Sequence, residues 1–429
     1  MSLDPAQMTI VEASLAIQSG ELTPSVLTDA CLDRVAAREP EVLAWAHCND
    51  DLSRMTARLL DTQSSNNPLH GIPFGVKDII DTADIPTQHG TPIFNKNQPA
   101  RDAACVALLK EAGGVCFGKT VTTELAHFHP GKTRNPLALA HTPGGSSSGS
   151  AAAVADCMVP FALGTQTTGS VLRPASYCGV VGYKPSYGDV NRSGVFGCAE
   201  SFDTVGWFTR SVEDVEIVRR ALIRAPAQPL KPADLSKLRV GFFKDASWAK
   251  VEPATQKLIE SAADELRPMV ASLKEVESTA AFDNIPQHHR TIAGYEFARA
   301  ITWERTERHH LLSPKLLNER CSDGLQCTYE QYASAQSELA DLRTAFKQTM
   351  QEFDVLLSAT APGEAWKGLK ATGDPVCNLA WTSLHMPAVS IPAFTGEQGL
   401  PVGLQLIGGF RQDAQLLSAA ESVRIALGC

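Results

Sequence analysis

Positive charge is scarce in this chain. Its 429 residues carry 38 lysines and arginines against 47 aspartates and glutamates, a formal net charge of −9. That balance argues against nucleic acid as the main partner, because phosphate binding needs a basic face. No C-x-x-C occurs among the 11 cysteines, which are scattered from Cys31 to Cys429. An odd, unpatterned set argues against a disulfide framework and for free thiols in a reducing compartment. The opening MSLDPAQMTIVEASLAIQ has acids where a secretory leader has lysines and an apolar run. The longest apolar stretch, near residue 155, is broken by Asp156 and is far too short to span a membrane. These absences predict a cytoplasmic protein without membrane contact. Internal repeats and G-x-G-x-x-G are missing too, and no G-x-x-x-x-G-K-[ST] accompanies the Gly144 to Ser150 cluster, which removes solenoids and counts against a nucleotide cradle there.

Core-forming material is plentiful, with 44% hydrophobic and 20% charged residues. Helical periodicity covers 7–17, 24–37 and 51–61, and a buried strand with a lysine near its end covers Gly71 to Ile80. Helix 102–112 and strand 114–118 continue an alternation typical of an α/β sheet. Strands at 158–163, 180–183 and 238–243 follow, with helices near 211–223 and 253–266 and a polar connection at 224–237. Helical patterns near 290–310 and 329–352 predict a cover or insertion over 285–352, after which strands return at 355–358, 388–392 and 400–407. The expectation is one α/β domain over 1–429, with its core in 60–223 and 355–429.

The stretch from His141 to Pro174 concentrates the unusual chemistry. Two Gly/Ser clusters, Gly144 to Ser150 and Gly169-Ser170, flank an apolar run that reads as core and not as a linker. Gly145-Ser146-Ser147-Ser148-Gly149 fits G-x-S-x-G with Ser147 central, but the two prolines before it make a poor strand for a nucleophile elbow. An anion cradle at the start of helix 149–156 is a second reading. A third couples both clusters to Lys77, because acyl transfer needs a nucleophile, a base and backbone donors for an oxyanion. Taken alone, Lys77 reads first as a structural ion pair or a strand end reaching solvent. Against a pair with Asp78, adjacent strand residues point to opposite faces.

Together these residues resemble the amidase signature family of serine hydrolases. The resemblance runs through Gly71-Ile72-Pro73 to Lys77-Asp78, Pro143 to Ala152, Gly164 to Ser170 with Arg173-Pro174, Cys178-Gly179, Lys184-Pro185-Ser186, Asp203-Thr204-Val205-Gly206 and Gly399 to Gly408. It implies a large, mixed, twisted β-sheet covered by α-helices on both faces. It makes Ser170 the nucleophile, Lys77 the base and Ser146 the relay, preceded by a cis peptide at Gly145. Ser146 and Ser170 stand 24 positions apart, in the family's register. The backbone N–H groups of Thr167, Thr168, Gly169 and Ser170 become the expected oxyanion hole. One departure is Thr168, where the family commonly has glycine.

The matching arginine of malonamidase-like members holds a substrate carboxylate, so Arg173 is a candidate for that role; tying down the loop is the alternative. His127, Phe128, Gly144 and Gly145 are expected to line the substrate pocket. His127-x-His129 could suggest a metal, but the resemblance implies no metal and no cofactor. The His288-His289 and His309-His310 pairs read as solvated helix faces. The expected reaction is hydrolysis of a small-molecule amide to acid and ammonia or amine, most like malonamidase-type enzymes, with a homodimer possible. Two alternatives stand beside it: the glutaminase component of a glutamyl-tRNA amidotransferase, which would need a partner protein, and a catalytically silent ligand-binding protein.

Overall fold

The computed structural model describes residues 4–127 and 129–429. Its strands are β1 (Trp45–Cys48), β2 (Pro73–Lys77), β3 (Val115–Thr120), β4 (Phe161–Gln166), β5 (Val181–Lys184), β6 (Thr204–Thr209), β7 (Arg239–Lys244), β8 (Ser272–Glu277), β9 (Val355–Ala359), β10 (Ala388–Thr395) and β11 (Pro401–Gly408). They form one mixed sheet in the order β1-β3-β2-β4-β6-β5-β10-β11-β9-β7-β8. Antiparallel pairing of β5 with β10, Tyr183 opposite Val389, joins the late strands to the early ones.

β2 and β4 are buried along their whole length, which explains why they read as continuous apolar runs and not as alternating ones. They are parallel neighbours, with Val76 opposite Leu163. Their C-terminal ends therefore lie at the same edge of the sheet, where open α/β sheets form ligand crevices. The strand expected over Gly71 to Ile80 is shorter than its apolar run. Gly71 turns at φ 77°, and after Lys77 the N–H groups of Ile79 and Ile80 both donate to Lys77 O, at 2.7 and 2.9 Å, closing a turn.

The helix Ser148–Ala155 packs small residues tightly onto this edge. A Cβ on Gly149 would sit 2.3 Å from both Ala44 O and Val121 N, so only glycine fits there. The cover is built from Ile285–Ala300, Thr302–Glu307 and Tyr329–Thr349, so the helix expected at 290–310 starts earlier and breaks at Ile301. Phe243 of β7 packs against Phe282 (tilted) and Trp381 (edge to face) at centroid distances of 4.8 and 5.1 Å, and Phe346 of the long cover helix closes the cluster. Aromatic burial of this kind fixes the cover against the sheet. Among the described residues, no helix is long and apolar enough to cross a membrane.

Candidate active site

Lys77 ends β2 with its side chain fully buried. Its Nζ donates to Ser146 Oγ at 2.6 Å and to Thr165 Oγ1 of β4 at 2.7 Å. Burial lowers its pKa from 10.5 to about 7, an effect partly opposed by Cys198 and Asp203. Asp78, next in sequence, faces the other way and lies 3.6 Å from Lys119 Nζ. Strand alternation thus separates the two charges, and Lys77 is no partner of Asp78.

The first Gly/Ser cluster is stitched to β4. Ser147 Oγ donates to Thr165 O and accepts from Thr165 N, both at 3.2 Å, and Ser150 Oγ donates to Leu163 O at 2.8 Å. With both its hydrogen-bonding roles spent on the strand, Ser147 is fixed as structure, which disfavours the elbow reading. Ser146 alone of the cluster meets the lysine. The loop reverses through Gly144 at φ 82° and Gly145 at φ 56°. Those left-handed glycines make the bend, and the peptide between Gly145 and Ser146 is trans: no cis bond occurs among the described residues. The expected cis peptide is therefore not present.

The second cluster leaves β4 as a turn held from three sides. Thr167 Oγ1 donates to Asp203 Oδ1 at 2.5 Å, while Asp203 Oδ2 accepts from the N–H groups of Cys198 and Ala199. Gln166 Oε1 accepts from Val171 N and Leu172 N, at 2.9 and 3.0 Å, and its Nε2 donates to Thr382 Oγ1. Thr382 Oγ1 in turn donates to Thr168 O at 2.9 Å. Ser170 emerges from this frame partly exposed, where its neighbours are buried. The two clusters abut backbone to backbone, since a Cβ on Gly145 would lie 3.1 Å from Ser170 O.

Arg173 is buried in the short helix Leu172–Cys178 that follows. Its Nε donates to Thr372 O at 2.7 Å and its Nη2 to Thr372 Oγ1 at 3.4 Å, tying the 372 loop to the turn. Its Nη1 has no partner among the described residues and would lie 3.2 Å from a Cβ on Gly169. His127 is buried against the ring of Phe297, with its pKa lowered to about 2 mainly by burial. Phe128 lies outside the described residues.

His289, expected on a solvated face, is instead buried. Its Nε2 lies 2.9 Å from Thr167 O, and its ring stacks on Phe202 at 4.5 Å. His288 is buried beside it, whereas His309 and His310 are exposed. A helix over 285–300 with one face packed on the turn after β4 and on neighbouring helices must bury part of any adjacent pair. Thr165, Gln166, Asp203, His289 and Thr382 form the supporting shell. Of these, Thr165 and Gln166 stand in the Gly164 to Ser170 match and Asp203 in Asp203-Thr204-Val205-Gly206, whereas His289 and Thr382 stand in none.

A family model for amidases matches residues 26–417. The chain belongs to the amidase signature family. Sequence relatives include a glutamyl-tRNA(Gln) amidotransferase component from Roseiflexus castenholzii (strain DSM 13941 / HLO8), 32% identical over 97% of this chain and 95% of that protein. The native peptide amidase of Stenotrophomonas maltophilia superposes with a TM-score of 0.84 at 27% identity, covering 99% of this chain and 98% of that one. The corresponding glutamyl-tRNA(Gln) amidotransferase component of Thermotoga maritima superposes at 0.82 with 25% identity, over 99% and 96% of the two chains. The amidase signature architecture and the α/β class expected from the motifs are those of these solved neighbours.

Proposed function

We propose that this amidase-family chain hydrolyses a carboxylic amide through an acyl-enzyme on Ser170. The observation that carries the reading is the buried Lys77, 2.6 Å from Ser146 Oγ, with a pKa brought down to about 7. Holding it there takes on the order of 5 kcal/mol of differential environment. A neutral amine has a lone pair, so the Lys77–Ser146 contact can run from Ser146 Oγ–H to Nζ while an amine N–H still donates to Thr165. Ser146 then takes the proton of Ser170 Oγ as that oxygen attacks the amide carbon. The same proton returns through Ser146 to the departing amine nitrogen, and water repeats the cycle to release the acid. The N–H groups of Thr167, Thr168, Gly169 and Ser170 are assigned to the developing oxyanion. Asp203, Gln166 and Thr382 position that turn without touching the reacting atoms.

Arg173 serves first as the tie to the 372 loop, with Nη1 left to meet an oxygen of the acyl group. Gly144 and Gly145 shape the floor, and His127 a wall. Ser170→Ala and Lys77→Ala test the scheme in a panel of malonamate-like, aryl- and indole-acetamide and urea-derived amides. Both variants should lose ammonia release by a thousandfold or more, and wild-type turnover in either would sink the triad.

A second reading shares this chemistry and differs in context. Relatives 31–32% identical over 97% of the chain are named as components of a glutamyl-tRNA(Gln) amidotransferase, which favours glutamine as the amide. Glutamine hydrolysis that depends on a co-purifying partner would select it over a free-standing amidase.

A further inference from the structure

A cavity of about 520 Å³ opens between the long cover helix Tyr329–Thr349 and the turns that precede β10 and follow β11. No residue of the nucleophile turn lines it. Helix Val376–Ser383 meets that turn through Thr382, whereas the cavity begins past the helix end, at Leu384, His385 and Met386. Phe346, Met350, Phe353 and Phe410 give the space an apolar wall. Both bordering turns hold a side-chain-bearing residue in the left-handed region, His385 at φ 65° and Arg411 at φ 63°. Backbone strain of this kind collects at ligand clamps.

Arg343 and Lys347, one helical turn apart, bring two cations to this wall, and neither is ion-paired among the described residues. Arg343 spends Nε on Ser383 O at 2.9 Å, and its Nη2 is buried with no hydrogen-bond partner among the described residues. Lys347 Nζ lies 5.9 Å from the centre of the Phe410 ring. Asp354, the carboxylate lining the cavity, is held by Arg239 at 2.8 and 3.2 Å. Glu296, on the far side of Arg343, is itself engaged by Ser201, Tyr332 and Gln336. Burial, with Arg343 beside it, holds His385 neutral at a pKa of about 3. Two cations are thus left uncompensated beside aromatic rings, in a chain whose net charge is −9.

We propose that this cavity is a second binding site, for a small organic acid with an aromatic body. Its carboxylate meets Arg343 and Lys347, and its ring lies among Phe346, Met350, Phe353 and Phe410. A guanidinium with unmet donors in a half-buried place gains most from a charged acceptor, which no side chain of the wall supplies. The apolar wall selects a monoanion with a hydrophobic body over inorganic phosphate, which would leave those rings uncovered. The site is independent of the Ser170 chemistry and stands or falls without it.

The test uses 4-benzoylbenzoate, a photoreactive aryl carboxylate, and 4-benzoylbenzyl alcohol, its uncharged counterpart. By titration calorimetry, wild type should bind the acid about tenfold or more tightly than the alcohol. Arg343→Gln should abolish that preference, and Lys347→Gln, at an exposed position, should reduce it. After irradiation, peptide mass spectrometry should place the adduct within 343–353, 384–386 or 409–415. Equal binding of acid and alcohol, an unchanged preference in Arg343→Gln, or an adduct confined to the Ser170 region would overturn the site. Should Arg343→Gln melt early, the adduct's position in wild type and the preference of Lys347→Gln decide in its place. A dimer in light scattering whose formation blocks labelling would make the cavity an interface between copies, and that too would overturn the assignment.

Discussion

The pH profile exposes the proposed base most directly. Lys77 must be neutral to take the Ser146 proton, so activity follows its deprotonated fraction. With a pKa of about 7 in place of 10.5, the sign is fixed: activity rises with pH and levels off above the lowered value. A single titration there makes Lys77 about 3% neutral at pH 5.5 and about 97% at pH 8.5, so kcat/KM should climb ~30-fold across that window. The neighbouring imidazoles do not supply this limb, because burial lowers His289 to about 3 and His127 to about 2. Cys198, pushed up to about 11 by burial, also titrates outside it. The assay is ammonia release at substrate concentrations well below KM, from pH 5.5 to 10. A flat profile, or a tenfold rise per unit continuing to pH 10, would refute a lysine neutralised by burial.

Three further outcomes follow from the same contacts. Thr165→Val removes a hydrogen bond that Nζ donates at 2.7 Å; the rising limb should move to lower pH, and thermal melting should show a loss of about 1–3 kcal/mol. Asp203→Asn cannot accept from Thr167 Oγ1 and from the N–H groups of Cys198 and Ala199 together. It should cost about 1–3 kcal/mol in urea unfolding and lower kcat more than it changes KM, because the nucleophile turn loses its anchor. Gly149→Ala forces a methyl to within 2.3 Å of Ala44 O and Val121 N; a loss above ~3 kcal/mol is expected, and a wild-type melting temperature would contradict the packing described.

Much of the site is legible in the sequence because its residues are rare types in rare places. A lysine in an apolar strand, a triple-serine glycine loop and Gly169-Ser170 after a second strand mark the region, while the choice of Lys77, Ser146 and Ser170 within it comes from the resemblance to the family. The alternation rule separates Lys77 from Asp78, and Lys119 proves to be the partner of Asp78. What stays hidden is long-range. Thr165 reaches Lys77 across 88 positions, and Thr382 meets Gln166 across 216. Thr165 lies inside the Gly164 to Ser170 match but nothing local gives it a role on Lys77, and Thr382 stands out from no other helix threonine.

Other errors have local causes. The His288-His289 pair sits in charged sequence, yet the helix turns His289 onto the nucleophile turn and Phe202. The edge strand β8, SLKEVE, buries only Leu273 and leaves no apolar signature. The Gly145–Ser146 bend is assigned to a cis bond by resemblance, where two left-handed glycines accomplish it.

The most direct test of the account is where an irreversible serine reagent attaches. After treatment with a fluorophosphonate, peptide mass spectrometry should find one adduct, on Ser170. It should be absent in Ser170→Ala and form at least ~100-fold more slowly in Lys77→Ala. An adduct on Ser146, Ser147 or Ser148, or an unchanged labelling rate without Lys77, would contradict the assignment of nucleophile and base.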